Sequence, residues 1–179
     1  MTLDDLLARE CIRQTMVDYN MAGDRLRIDD FLAVFTEDAI LESEGVPEAD
    51  TFRYAGRAEI REWLERWTRG SAADQARPTQ ASFIRHHLST SQIELTGPDS
   101  ARARTYFVAY TDIGADHCGQ YVDTFRKLGE RWLIAHRRVR LDWRSPDSLY
   151  MTAMTTLRAR APILRGVFPP DIPPAPCGN

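Results

Sequence analysis

Leu133-Ile134-Ala135-His136-Arg137-Arg138-Val139-Arg140-Leu141-Asp142-Trp143 alternates with period two, the pattern of a half-buried strand. One face reads Leu133, Ala135, Arg137, Val139, Leu141 and Trp143, and the other Ile134, His136, Arg138, Arg140 and Asp142. Arg137 therefore falls on the apolar face. A guanidinium buried there without a partner costs several kcal/mol or more, so it demands a carboxylate or a bound oxygen. The stretch predicts a strand with one side against a core, and a polar site within that core.

Working outward, three more strands precede it, at about 82–95, 101–112 and 118–127, with the last at 131–143. Gly97-Pro98-Asp99, Gly114 and Leu128-Gly129-Glu130 supply the turns of an antiparallel meander. Helical periodicity dominates earlier. Residues 4–22 carry two apolar stripes, Leu3, Leu7, Cys11, Val17 and Met21 beside Ile12, Met16 and Tyr19, which predicts burial on two sides. Gly23 is placed to end this helix in a left-handed conformation, swinging Asp24 out of helical phase. Asp29 or Asp30 starts a short helix over Phe31, Val34 and Phe35, strands follow at 39–43 and 52–56, and Ile60, Trp63, Leu64 and Trp67 define a third helix from about 58 to 69. Helices first and strands afterwards describe an α+β domain over residues 1–143, a curved antiparallel sheet wrapped around three N-terminal helices. Residues 144–179 form an extension expected to hold one helix around 147–160 and then Pro162, Pro169, Pro170, Pro173, Pro174 and Pro176, which cannot supply its own core and is suited to cap a cavity or a neighbouring subunit.

Composition narrows the class. With 179 residues, 43% hydrophobic, 27% charged and a net charge of −3, the chain fits one globular domain. Its basic residues are balanced by 26 acidic ones rather than massed in a stripe, which disfavours nucleic acid. No apolar run approaches the ~20 residues of a membrane span, and Met1-Thr2-Leu3-Asp4-Asp5 lacks the regions of a signal peptide, so the expected location is cytoplasmic. Cys11, Cys118 and Cys177 are odd in number and widely spaced, against a disulfide framework or a zinc cage.

The first late strand holds His86-His87, of which only one can face inward. Ile84, His86 and Leu88 share a face, so His86 is the inward residue, and the later phase of Ile93 and Leu95 implies a bulge between. His87, His117 and His136 read as surface or partly exposed histidines. A lone inward histidine is more often a hydrogen-bonded core residue than a catalyst. Asp24 alone reads as a helix-end cap, Tyr19 as a buried aromatic and Arg137 as a structural ion pair. Together they form a base, a carboxylate, a phenol donor and a cation in an apolar setting, the usual make-up of a proton-transfer site. Tyr54, Tyr121, Trp63, Phe107, Leu88 and Trp143 are candidates for the pocket wall, and most serve equally well as core. Metal binding is disfavoured because His86 and His87 diverge and there is no H-x-H, H-E-x-x-H or C-x-x-C spacing, and no glycine-rich loop suggests a nucleotide. No cofactor is expected.

These residues carry a resemblance. Tyr19-Asn20-Met21-Ala22-Gly23-Asp24, Phe31-Leu32-Ala33-Val34-Phe35-Thr36-Glu37-Asp38-Ala39, Tyr54-Ala55-Gly56-Arg57-Ala58-Glu59-Ile60, Arg85-His86-His87-Leu88-Ser89-Thr90 and Gly119-Gln120-Tyr121-Val122-Asp123 with Trp132 to Asp142 are similar to the SnoaL-like branch of the nuclear transport factor 2-like superfamily, which includes scytalone dehydratase, bile acid 7α-dehydratase and lindane dehydrochlorinase. The resemblance covers residues from about 5 to 143. It implies a cone-shaped barrel, a catalytic pair at Asp24 and His86 with Tyr19 and Arg137 beside it, and a homo-oligomer, a trimer ahead of a dimer, with C-terminal tails closing the pocket. Thr90 stands where the family often has asparagine.

The activity this implies is a cofactor-independent lyase, a dehydratase acting on an apolar cyclic, steroid-like or polyketide-like substrate. Asp24 would orient His86, Arg137 would hold Asp24 ionised, His86 would remove a proton, and Tyr19 would polarise an oxygen. An isomerase or polyketide cyclase needs the same abstraction. A non-catalytic binding module or small subunit is the alternative of another class.

Overall fold

The computed structural model describes residues 1–44, 51–74 and 81–148, with side chains as far as Arg66 in the second stretch. The predicted tail helix and the proline-rich end lie outside them, apart from the start of the extension. Helix α1 (Leu3–Gly23) opens on Thr2, whose hydroxyl accepts the Asp5 amide at 3.1 Å while the Asp5 carboxylate accepts the Thr2 amide at 2.7 Å, a reciprocal cap that satisfies two orphan donors. Its buried stripe is Ile12, Met16 and Tyr19. The other predicted stripe is not covered within the protomer: Leu3, Leu7, Val17 and Met21 are all more than 40% exposed, and Cys11 is exposed. One sheet can cover only one side of a helix.

The end of α1 sets the position of Asp24, by a device other than the expected glycine. Gly23 keeps helical geometry and Asp24 follows at φ −60°, while the left-handed residue is Leu26 at φ 52°. The Arg27 amide bonds back to the Ala22 carbonyl at 3.0 Å and the Leu26 amide to Gly23 at 3.0 Å, so the turn closes around Leu26. Gly23 has a packing reason instead: a Cβ there would lie 3.1 Å from the Phe31 ring. Helix α2 (Ile28–Ala33) then places Phe31 against Tyr19, and the chain enters β1 (Phe35–Glu44), β2 (Arg53–Ala55) and α3 (Gly56–Asp74).

Strands β3 (Arg85–Gly97), β4 (Ser100–Thr111), β5 (Gly114–Leu128) and β6 (Arg131–Arg144) form the predicted meander. The six-stranded curved sheet has the order β2-β1-β6-β5-β4-β3 and is unclosed. All pairings are antiparallel except β1 with β6, which run parallel where β1, flanked on its other side by β2, joins the last strand of the meander. The three helices and the inner sheet face share one core, including Ile12, Met16, Phe31, Phe35, Leu41, Ile60, Phe107 and Phe125.

Register shifts decide what faces that core. One lies between Leu88 and Ser91, as the slipped phase of β3 predicted. In β6, Phe125 pairs with Ile134 but Thr124 with His136, so Ala135 is an extra residue. Ile134 (0% exposed), not Ala135, therefore shares the inner face with Arg137, correcting the simple alternation read from the sequence. Cys118 pairs with Trp143 and Gly119 with Leu141, making Asp142 a second extra residue. Strand β5 has its own, because Ala109 pairs with His117 and Tyr110 with Ala115, making Asp116 an extra residue in the ladder.

Candidate active site

Asp24 is presented by the end of α1 to the first turn of β3. Its Oδ2 accepts the His86 backbone amide at 2.9 Å and its Oδ1 lies 2.6 Å from His86 Nδ1. A carboxylate can only accept, so Nδ1 carries a proton, and the neutral form of the ring has its lone pair on Nε2. The side chains are 16% and 5% exposed, which keeps the pair largely out of water while leaving the imidazole a path to it.

Arg137 answers its burial differently from the expectation. It is 0% exposed, and Nε and Nη2 donate to Asp123 Oδ1 and Oδ2 at 2.8 and 2.6 Å, a bidentate pair across the β5–β6 ladder. It therefore pairs with Asp123 and does not hold Asp24. Burial acts against the charged guanidinium, but Asp123 prevails and its pKa lies above the ordinary arginine value. The guanidinium carbon sits 4.0 Å from the Tyr19 ring centroid and 4.1 Å from that of Tyr121, so two aromatic faces cover it. Nη1 is buried without a hydrogen-bond partner among the described residues.

Tyr19 thus stands between the two carboxylate systems. Burial pushes its phenol up, opposed by Arg137 and reinforced by Asp123 and Asp24, which keeps the hydroxyl protonated and able to donate. Tyr121 donates to Asn20 Oδ1 at 3.2 Å and stacks on Phe107 with centroids 4.6 Å apart. Phe107 in turn lies 5.7 Å from the His86 ring. On the other side of Tyr19, Phe31 leads to Trp63 and then Tyr54 and Phe52, and Leu88 packs at the edge of the same cluster. Burial also raises the Tyr54 hydroxyl. Of the expected wall residues, Trp143 does not join: it is 45% exposed, because the extra residue Asp142 turns it to the side opposite Leu141.

Sequence reasoning missed His117, read as a surface or partly exposed residue but only 6% exposed. His86, Ala109 and His117 form one row across β3, β4 and β5. Strands two apart are separated by ~10 Å, yet the small Ala109 between them lets the two imidazoles lean together, edge to face at 5.9 Å. His117 Nδ1 lies 2.8 Å from Asp116 Oδ1, so a second imidazole and carboxylate stand beside the first. Burial draws the His117 pKa down, against the bond from Asp116, and His86 and Arg144 draw it further. The bulge at Asp116 is the cause: it sends two consecutive side chains inward where alternation allows one. His87 points away and meets Tyr110 edge to face, while His136 bonds Glu42 at 2.7 Å on the outer face.

Three helices packed on a curved, mostly antiparallel sheet, with a polar cluster between them, define the nuclear transport factor 2-like class. Within it the SnoaL-like domain matches residues 4–138, and the chain belongs to that family. Among solved structures it is similar to a candidate scytalone dehydratase from Novosphingobium aromaticivorans, at 24% identity over 81% of this chain and 91% of that one, with a TM-score of 0.63. It is also similar to a hexachlorocyclohexane dehydrochlorinase from Novosphingobium barchaimii LL02, at 14% identity over 80% and 92% of the two chains and a TM-score of 0.62. The beta subunit of a candidate aromatic-ring-hydroxylating dioxygenase from Novosphingobium aromaticivorans shares the fold at 18% identity, 79% and 93% coverage and a TM-score of 0.61. No curated protein matches the chain. No helix among the described residues is long and apolar enough to cross a membrane.

Proposed function

We propose that the protein is a cofactor-independent lyase that dehydrates an apolar cyclic or polyketide-like substrate, with His86 as its base. The observation that carries this reading is the two-point hold of Asp24 on His86, amide and ring together, which fixes both the tautomer and the direction of the imidazole. Its Nε2 takes a proton from a carbon next to a carbonyl, and Asp24 stabilises the imidazolium. The same Nε2–H then protonates the departing hydroxyl, water leaves, the carbon–carbon double bond forms and His86 is neutral again. Tyr19, kept protonated by burial, donates to the carbonyl or the departing oxygen. Arg137 acts through Tyr19, covering its ring while Asp123 holds the guanidinium still. We assign Tyr54, Trp63, Phe107, Leu88 and Tyr121 to the apolar surface against which the substrate rests. Similarity to a candidate dehydratase and to a dehydrochlorinase supports elimination chemistry. The exposed apolar residues Leu3, Leu7, Val17 and Met21 suit burial in a homo-oligomer, a trimer ahead of a dimer.

The test is a set of cyclic β-hydroxy ketones, such as 3-hydroxy-1-tetralone, whose dehydration yields 1-naphthol. Mass spectrometry should show loss of one water, and His86→Ala should lower turnover by about 10² or more. A product of unchanged mass would assign an isomerase instead. Full turnover by His86→Ala would refute the assignment of the base.

A further inference from the structure

Asp116 carries more bonds than a structural bulge requires. It is fully buried, and Oδ1 receives His117 Nδ1 at 2.8 Å and the Ser148 hydroxyl at 2.5 Å. Oδ2 receives the Thr111 hydroxyl at 3.0 Å, and its backbone carbonyl receives the Ser145 amide at 2.7 Å. Ser145 and Ser148 belong to a short turn just after β6, closed by the Ser148 amide on the Ser145 carbonyl at 3.2 Å and the Asp147 amide on the Ser145 hydroxyl at 3.2 Å. The turn has no need of a buried carboxylate for its own closure. It delivers one amide and one hydroxyl to the residue that holds His117, whose ring meets that of His86.

We propose that Asp116 is a positioning residue that couples the turn after β6 to the acid–base pair, so that the site is fully assembled only when Ser145 and Ser148 are docked. This deepens the proposed function and rests on His86 being its base. A carboxylate shared by three donors is fixed in rotation, and a fixed carboxylate holds His117 as its Nδ1–H tautomer with one ring orientation. His117 and Phe107 both meet the His86 ring, with ring centroids at 5.9 and 5.7 Å. Undocking the turn removes the Ser148 and Ser145 bonds at once, loosening Asp116 and then both imidazoles. The bulge explains why Asp116 can do this: in regular alternation its carboxylate would face the outer side of the sheet.

The experiment uses the full chain with ¹⁵N-labelled histidine and three variants, Ser148→Ala, Ser148→Thr and His86→Ala. Ser148→Ala should speed exchange of the His117 Nδ1 proton about tenfold and lower kcat for 3-hydroxy-1-tetralone about tenfold with KM within about twofold, and Ser148→Thr should restore both. A purely structural staple would instead lower the melting temperature and leave the His117 ring signals as in the native protein, which would overturn the proposal. The exchange measurement needs no substrate. If His86→Ala is inactive while Ser148→Ala keeps native kcat and exchange, the coupling alone falls. If His86→Ala keeps full turnover, the reading of the base falls, and the His117 signals still decide the coupling.

Discussion

Removing the Asp123 carboxylate tests how the core tolerates Arg137. Both side chains are fully buried and joined by bonds of 2.8 and 2.6 Å, so Asp123→Ala leaves an uncompensated charge between two tyrosine rings. Breaking one partner of a buried pair costs ~3–5 kcal/mol, against ~1–3 kcal/mol for hydrogen bonds lost where a group can become neutral or meet water. Asp24→Ala belongs to the second case, because His86 is 16% exposed and has a neutral form. In a chain of this size ~1 kcal/mol moves the melting temperature by ~2–4 °C, so Asp123→Ala should melt ~6–20 °C below the native protein. Urea unfolding of both variants measures the difference directly. The double change Asp123→Leu with Arg137→Met should recover most of the loss by replacing the pair with apolar volume. An Asp123→Ala protein within ~1 kcal/mol of native, or one more stable than Asp24→Ala, would refute the reasoning and return Arg137 to Asp24.

Leu26→Gly should stabilise the protein by up to ~1 kcal/mol, since a left-handed non-glycine residue costs ~1–2 kcal/mol and the gain is partly offset by the freedom glycine has when unfolded. Calorimetry reads this as a rise in melting temperature, and a fall would show that the Leu26 side chain contributes more than its backbone costs. His117 sets a pH dependence. Burial, over the opposing bond from Asp116, depresses its folded pKa, so the folded protein binds this proton less readily than the unfolded chain. Its contribution is complete above the unfolded value near ~6.5 and is lost as pH falls toward the folded value, at up to ~1.4 kcal/mol per pH unit. His117→Gln should flatten the urea-unfolding profile over that window, and an unchanged slope would contradict a buried neutral His117.

The succession of three helices and four late strands was legible because each segment carries enough periods of its own pattern, and His86 was legible because its exposed neighbours Arg85 and His87 mark the outer face. Arg137 announced a buried partner without naming it. Counting back from the Leu128–Arg131 turn in regular register sets Asp123 opposite His136, and only the extra Ala135 moves it opposite Arg137. His117 was hidden by the same kind of event at Asp116, and Trp143 was misplaced by Asp142. Bulges depend on cross-strand geometry and leave no periodic trace, so the residues beside them are the ones a linear reading assigns to the wrong face. The choice of Leu26 over Gly23 for the left-handed position has a similar origin, since the ring of Phe31 requires the glycine to serve close packing.

The central claim is that His86, held by Asp24, takes a proton from carbon. It is tested most directly with a cyclic ketone that lacks a leaving group, such as 2-tetralone, followed by NMR in deuterium oxide, because only the first half of the reaction can then occur. The account predicts enzyme-dependent deuterium incorporation next to the carbonyl, reduced by about 10² or more in His86→Ala and in Asp24→Asn. Incorporation by His86→Ala at the native rate would contradict it.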